Sequence, residues 1–235
     1  MERSQFSLMS KSRSGSEPKL KSDDSPAPRV RRSPIKRQPK EVLERILEAA
    51  TAAFTRDGYK GARMRSIAAD AGTTIQLLVY HVKSKEKLWE MTMEHMLRRF
   101  ESDHGLNRER VAQASATEQL RQLIVDLVHF SAANPQLHRI MTQEGGQLSP
   151  RLVWLCENFV RSGFEEFVSL TVAAQREGSV RADFQPERLR YAVVSIASVP
   201  FSVAAEYEYF IDKSPFSPGE IERTIEMICG MVFKA

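Results

Sequence analysis

From Glu41 onward, apolar residues recur at three- and four-residue spacing and are interrupted at short intervals by Gly, Pro or Asn, the pattern of amphipathic helices joined by tight breaks. Val42, Ile46, Ala49, Ala50, Ala53 and Phe54 form the buried stripe of a first helix, closed by Asp57-Gly58. Met64, Ile67, Ala68 and Ala71 share one face of a second, short helix, and Gly72 can take the left-handed conformation that ends it without a Cβ clash. Thr74 suits the N-cap of a third helix whose core side holds Leu78 and Val82 at i and i+4. Ser115 and Glu118 have capping-box spacing ahead of a helix bearing Leu120, Leu123, Ile124, Leu127 and Phe130, which stops at Asn134-Pro135. The stretch from Ser149 to Arg176 is apolar on most sides (Leu152, Trp154, Leu155, Phe159, Phe164, Phe167, Leu170), so it is predicted to be largely enclosed and to end at Gly178. Pro186 opens a helix running on to Phe210, and Ser217-Pro-Gly-Glu220 opens a last one as a capping box with Pro at the first helical position. Strand-like alternation is scarce and no internal repeat is visible, so the fold class is all-α.

Residues 62–88 read as helix, glycine turn, helix and the start of another helix, the layout of a DNA-reading helix-turn-helix. Periodicity alone also fits a generic two-helix hairpin. The local sequences are more specific: a first helix ending in FTRDGYKGA, then IAADAG, then LVYHVKSKEKL. From about Glu41 to Leu88 the chain resembles the DNA-binding domain of the tetracycline-repressor (TetR) family. That resemblance implies an N-terminal helix-turn-helix three-helix domain at 40–88 and a C-terminal helical effector-binding and dimerisation domain at 89–235, preceded by a basic tail at 1–39.

It further implies that the helix from Thr74 to His81 enters the major groove, with Ile75, Gln76, Leu77, Val79 and His81 toward the bases and Leu78, Tyr80 and Val82 toward the domain core. Gln76 is suited to adenine N6 and N7, and the apolar side chains beside it to thymine methyls, which suggests A·T-containing half-sites. Arg65 matches a position that reaches a guanine, a phosphate or solvent, and Lys85 matches the family's phosphate-contacting lysine at a helix N-terminus. Lys83 and Thr73 are assigned similar positioning roles. The chain departs from the family pattern at three places. Val79 stands where a backbone-contacting tyrosine is common, Arg63 replaces a capping threonine, and Lys87 replaces the acidic residue that completes a capping box with Ser84. One phosphate contact is thereby lost and two caps are weakened, and Arg63 and the basic tail are expected to offset part of the loss electrostatically.

The family likeness also implies repression by operator occupancy, relieved by a small apolar or aromatic effector. Candidate pocket walls are Met91, Met96, Phe100, His129, Phe130, Met141, Trp154, Phe159, Phe164 and Phe201, most of which would equally serve as plain core. His129 is read either as a ligand donor or as a core histidine. Pro200 removes a backbone bond within its helix, so a kink is expected there, opening space beside Phe201 and Ser198 or merely bending the chain. The last two helices resemble the pair through which such subunits form a homodimer. Tyr191, Val194, Ala197, Ala204, Ala205, Ile221, Ile225 and Ile228 are the candidate dimer face, with intramolecular core as the alternative.

Charge changes this picture only at the N-terminus. Residues 1–40 hold 11 Lys and Arg against 4 Asp and Glu, leaving 23 against 26 of the chain's 34 basic and 30 acidic residues. The basic pI is therefore a property of a Ser-, Pro-, Lys- and Arg-rich tail that has too little apolar surface to fold. Arg29, Arg31, Arg32, Lys36 and Arg37 are placed to track phosphates or enter a minor groove, or simply to lie in solvent. Cys156 and Cys229 are far apart and lack CxxC or His neighbours, so neither a disulfide framework nor a metal site is indicated, and no cofactor is expected. No apolar run approaches the roughly 18 residues of a membrane span, and a cytoplasmic location is expected. Nucleophile elbows, phosphate-cradling loops and paired His and carboxylate motifs are missing, which argues against an enzyme. The remaining alternative is a helical DNA-binding adaptor that is effector-independent or controlled by a protein partner.

Overall fold

A computed structural model describes residues 39–234, and their side chains except at 39 and 99–106. The basic tail at 1–38 and the side chain of Phe100 lie outside the described residues. The order is α1 (Pro39–Gly61), α2 (Met64–Asp70), α3 (Ile75–Val82), α4 (Lys85–Val111), α5 (Ala116–Ala133), α6 (Pro135–Gly145), α7 (Pro150–Leu155), α8 (Arg161–Arg176), α9 (Pro186–Ser202), α10 (Ala204–Ile211) and α11 (Pro218–Val232). A π-helical turn, Cys156–Val160, joins α7 to α8. Among the described residues the only strand-like pairing is a single antiparallel bridge between Val180 and Phe233. The fold is all-α.

Two hydrophobic clusters organise it. The first holds the buried stripe of α1 with Ile67, Leu78, Val82, Leu88 and Trp89, and continues past residue 88 into Met93 and Met96 on α4, Leu137 and Ile140 on α6, and Leu155 on α7. The N-terminal helices thus share one apolar core with α6 and α7. The second cluster joins α5, α8, α9 and α11 through Leu120, Ile124, Phe167, Val193, Ala197, Phe201, Ile225 and Ile228. Glu177, just beyond α8, ties these helices at one end: its carboxylate accepts from the amides of Ala116 (2.8 Å) and Thr117 (3.0 Å), satisfying two donors at the start of α5.

Four sequence expectations change. The helix begun at Pro186 does not run to Phe210; it breaks at Val203, and α9 and α10 diverge by 81°. Pro200 sits inside α9 without ending it, and Phe201 and Ser198 beside it are packed, with no opening at that point. The bend comes later because the Arg139 guanidinium on α6 donates to the carbonyl of Ser202 (2.8 Å), while the amides of Glu206 and Tyr207 both turn to the carbonyl of Val203. At α11, the Ser217 hydroxyl makes no cap. The carboxylate of Glu220 is instead buried, accepting from the Tyr207 hydroxyl (2.9 Å) and pairing with Arg223 and Lys213. The stretch from 149 to 176 is only partly enclosed: Leu155 and Phe167 are buried, whereas Leu152, Trp154, Phe159, Phe164 and Leu170 are half-buried. Finally Ala197, Ile225 and Ile228 do not face outward as a dimer stripe; they fill the second cluster, because α11 packs its isoleucines onto α5 and α9 of its own chain.

Among the described residues no single helix is long and apolar enough to cross a membrane, although the bent α9–α10 pair passes by length and composition together.

Candidate nucleic-acid interface

Local chemistry sets the α2–α3 corner. α2 has no side-chain cap, since Arg63 at its N-cap offers no acceptor. It ends with the amide of Thr73 on the carbonyl of Ala68 (2.9 Å) and that of Gly72 on Ala69 (2.9 Å), the six-to-one closure that needs a left-handed residue. Gly72 supplies it at φ 61°. The Thr74 hydroxyl then accepts from the amide of Leu77 (3.2 Å) and starts α3. Replacing Thr74 by Ala is expected to cost about 0.5–2 kcal/mol and to weaken duplex binding through fraying of α3. Urea unfolding and binding titrations of Thr74→Ala and Thr74→Ser check this; the cap assignment predicts recovery in the serine variant only.

α3 is anchored from beneath by Leu78 and Val82, both fully buried. Gln76, Leu77, Val79 and Tyr80 are exposed, and Ile75 and His81 are half-buried at the margins, Ile75 packing against the first cluster. Tyr80 is the correction here. Expected in the core, it is 69% exposed. At about 100° per residue it lies two positions from both Leu78 and Val82, on the opposite side of the helix, so the spacing itself carried the signal. Its ring meets His81 edge-on at 5.4 Å and carries the Lys83 ammonium 5.2 Å from its centroid. Lys83 adopts φ 65° and ψ −55°, a positive-φ conformation uncommon for a side-chain-bearing residue, and thereby closes α3.

Arg63, Arg65 and Lys83 are exposed, and Thr73 and Lys85 are half-buried. The Ser84 hydroxyl caps α4 by accepting from the amide of Lys87 (3.1 Å), while the Lys87 ammonium pairs with Glu90 (3.0 Å) on the solvent side. The Lys85 ammonium lies 4.7 Å from the Tyr59 ring centroid and donates to the carbonyl of Lys60 (3.4 Å). Burial holds its pKa below the usual lysine value. The Tyr59 hydroxyl donates to Glu86 (2.6 Å). Burial, and then this bond, pushes the phenol up to about 12, and the same bond holds the Glu86 carboxyl below its ordinary value.

Of the residues expected to line an effector pocket, six gather in the first cluster and pack against its core, while Phe164, Phe201 and His129 lie apart from them. Met96 is buried in the first cluster, with Met91, Phe130, Met141, Trp154 and Phe159 packed against it. Trp154 meets Trp89 edge-on at 5.7 Å and Phe159 at 5.3 Å. Phe201 belongs to the second cluster, and Phe164 is half-buried beneath the guanidinium of Arg190, 5.1 Å away. His129 is exposed, since it faces away from the core side of α5. Among the described residues His138 on α6 is half-buried, between the buried Leu137 and Ile140. Its Nε2 is buried with no hydrogen-bond partner, Phe130 lies edge-on at 6.3 Å, and burial lowers its pKa to about 4. A cavity of about 490 Å³ lies elsewhere, between α9, α11 and the loop before α9, lined by Asp183, Arg188, Leu189, Ile196, Ile228 and Met231 among others.

Of the candidate dimer residues, Tyr191 and Ala205 are exposed, and Val194, Ala204 and Ile221 are half-buried. Val199, Val203, Tyr209, Phe210, Ile211, Phe216, Met227 and Met231 are further exposed large apolar residues on α9, α10, α11 and the loop between the last two.

The family match among known proteins falls in the N-terminal part. The family described as "Bacterial regulatory proteins, tetR family" matches residues 46–91. A probable HTH-type transcriptional regulator, YttP of Bacillus subtilis, is 30% identical over 105 residues, covering 43% of this chain and 49% of the relative. The HTH-type transcriptional repressor NicS of Pseudomonas putida is 26% identical over 107 residues, 46% of this chain and 50% of the relative. The chain therefore spans about half the length of these curated relatives. Among solved structures, AibR in complex with isovaleryl coenzyme A and operator DNA superposes with a TM-score of 0.65 at 18% identity, over 82% of this chain and 98% of that one, a likeness of fold.

Proposed function

We propose that the chain, whose residues 46–91 match the tetR family of bacterial regulatory proteins, is a sequence-specific DNA-binding regulator that represses from its operator and is released by a small effector. Members of the family are transcriptional regulators and not enzymes. The observation that carries the reading is the division of α3: Leu78 and Val82 lock one side into the core, while Gln76, Leu77, Val79 and Tyr80 are exposed, as are Arg63, Arg65 and Lys83. An eight-residue helix presented in this way fits a major groove. Gln76 and Arg65 then read base edges, Tyr80 joins the surface in place of the core role expected for it, and the lysines position the protein on phosphates.

Two half-sites require two copies. The apolar surface left open by Tyr191, Val199, Tyr209, Phe210, Met227 and Met231 is the part of the C-terminal half suited to a two-fold mate. This reading moves the dimer face outward from the buried stripe of Ala197, Ile225 and Ile228. The effector needs only to bind the non-operator arrangement better, and a tenfold difference amounts to about 1.4 kcal/mol per site. His138, with its enclosed Nε2 among Phe130 and the α6 side chains, is the polar group best placed to recognise a mostly apolar effector. A second reading, an effector-independent or partner-controlled DNA-binding adaptor, is favoured by the filled cluster around Trp89 and Trp154, where the expected pocket walls pack against each other. A cytoplasmic location follows from the DNA-binding role.

The test is selection of bound genomic fragments by the purified full chain, with Arg65→Ala and Gln76→Ala alongside and two salt concentrations. A palindromic motif is expected, with preference relaxed at particular positions by about 1–3 kcal/mol in each variant. Uniform, steeply salt-sensitive binding untouched by either substitution refutes the recognition-helix reading.

A further inference from the structure

At Tyr59 charged groups from α4 and α7 meet the end of α1. Tyr59 follows Gly58, whose φ of 66° turns the chain at the end of the long first segment of α1 and lays the Tyr59 ring against Phe54 at 6.1 Å. Three charged groups converge on it. The Arg151 guanidinium of α7 lies 3.9 Å from the ring centroid, the Lys85 ammonium of α4 lies 4.7 Å from it, and the hydroxyl donates to Glu86. Arg151 is itself fixed. Its Nε donates to both carboxylate oxygens of Glu144 on α6 (3.1 and 3.0 Å), and its Nη2 lies 3.0 Å from Oε2. Glu144 is buried at 8% exposure, so this pair is a nearly enclosed, multiply bonded clamp rather than a loose surface contact.

We propose that Arg151, held by Glu144, is a positioning residue for DNA binding: by clamping the Tyr59 ring it directs the Lys85 ammonium toward a phosphate and keeps the Glu86 carboxylate engaged away from it. This rests on the DNA-binding reading above. A flat guanidinium stacked on the ring restrains Tyr59, and the restrained hydroxyl holds the Glu86 carboxylate in a hydrogen bond in place of a direct pair with the Lys85 ammonium. Glu144 and Arg151 sit on consecutive helices, so a change in the spacing of α6 and α7 loosens the clamp and weakens phosphate contact without moving Gln76 or Arg65.

The experiment measures affinity against salt for a duplex of about 30 base pairs, long enough for two half-sites a helical turn apart, taken from the fragment most enriched by the wild-type chain. Wild type, Lys85→Ala, Arg151→Ala, Arg151→Lys, Tyr59→Phe and the Lys85→Ala/Arg151→Ala double variant are compared. Losing one phosphate contact reduces the slope of log K against log salt by about 0.9 per subunit engaged and lowers affinity about eightfold at 0.1 M salt. Arg151→Ala is expected to show this reduction, Arg151→Lys to recover little because an ammonium lacks the flat fork, Tyr59→Phe to give part of the loss, and the double variant to be no weaker than Lys85→Ala alone. Base preference is expected to be unchanged throughout. If Arg151→Ala does not fold, Arg151→Lys and Glu144→Gln carry the same comparison. A reduced slope in Lys85→Ala with a wild-type slope in the Arg151 and Glu144 variants overturns the positioning role and leaves the DNA-binding reading standing. A wild-type slope in Lys85→Ala overturns the positioning role at its first step, and the DNA-binding reading stands or falls by the Arg65→Ala and Gln76→Ala selection.

Discussion

Leu78→Ala is expected to destabilise the protein by about 2–5 kcal/mol and to remove sequence-specific duplex binding, whereas Tyr80→Ala, two positions away, leaves stability within about 0.5 kcal/mol. Leu78 is fully buried, and with Val82 it is what attaches the core side of an eight-residue helix. Such a helix is too short to persist by propensity alone. The cavity left by three lost carbons therefore removes packing from the element that must be rigid to read bases. Tyr80 is largely in solvent, so its removal costs little packing, but it takes away ring surface and a partner for Lys83 on the proposed groove side. Urea unfolding midpoints with duplex titrations separate the two. Equal losses of stability in the two variants would contradict the division of α3 on which the proposed function rests.

Acidification is expected to destabilise the fold through His138. Burial lowers its pKa from 6.5 to about 4, so between those values the unfolded chain binds a proton that the folded chain excludes. Stability therefore falls as pH drops below about 6.5, and the loss stops growing near pH 4, where the folded protein also protonates. The full difference amounts to about 3 kcal/mol. Carboxylates add to this at the acid end, including Glu177 and Glu220, which are held below their ordinary value chiefly by the Thr117 and Tyr207 hydroxyls. These contribute stability above their unfolded values that is lost as pH falls through their folded values. The informative quantity is therefore the difference between wild type and His138→Gln, followed by urea unfolding from pH 7 to pH 4. Superimposable pH profiles would show that His138 is not held neutral. If His138 also meets the effector, as proposed, the same variant alters effector release of the duplex at pH 7.

Much of the proposed DNA-facing site is legible along the chain because its determinants are local. Gly72, Thr74, Ser84 and the Leu78–Val82 spacing each act within one or two helical turns, so capping chemistry and the 3.6-residue period are sufficient to place them. Tyr80 was assigned to the wrong side by family analogy although its angular position was available. The Tyr59 clamp was hidden, since Arg151 is 92 positions further along and nothing in a charged residue's neighbours indicates which aromatic face it will cover.

The C-terminal half divides differently. The sequence by itself determined that α5, α9 and α11 each bury one stripe, where they begin, and that the architecture is all-α. Only the tertiary structure decided what covers each stripe. Ala197, Ile225 and Ile228 turn into their own core, while Tyr191, Tyr209 and Phe210 remain outside. His129 stands in solvent and His138 is half-buried; and α9 ends at Val203, where Arg139 of α6 takes the Ser202 carbonyl. The physical reason is that burial of apolar area is non-directional: periodicity shows that a face leaves water, and the choice between covering it with the same chain or with another depends on helix packing far away in sequence.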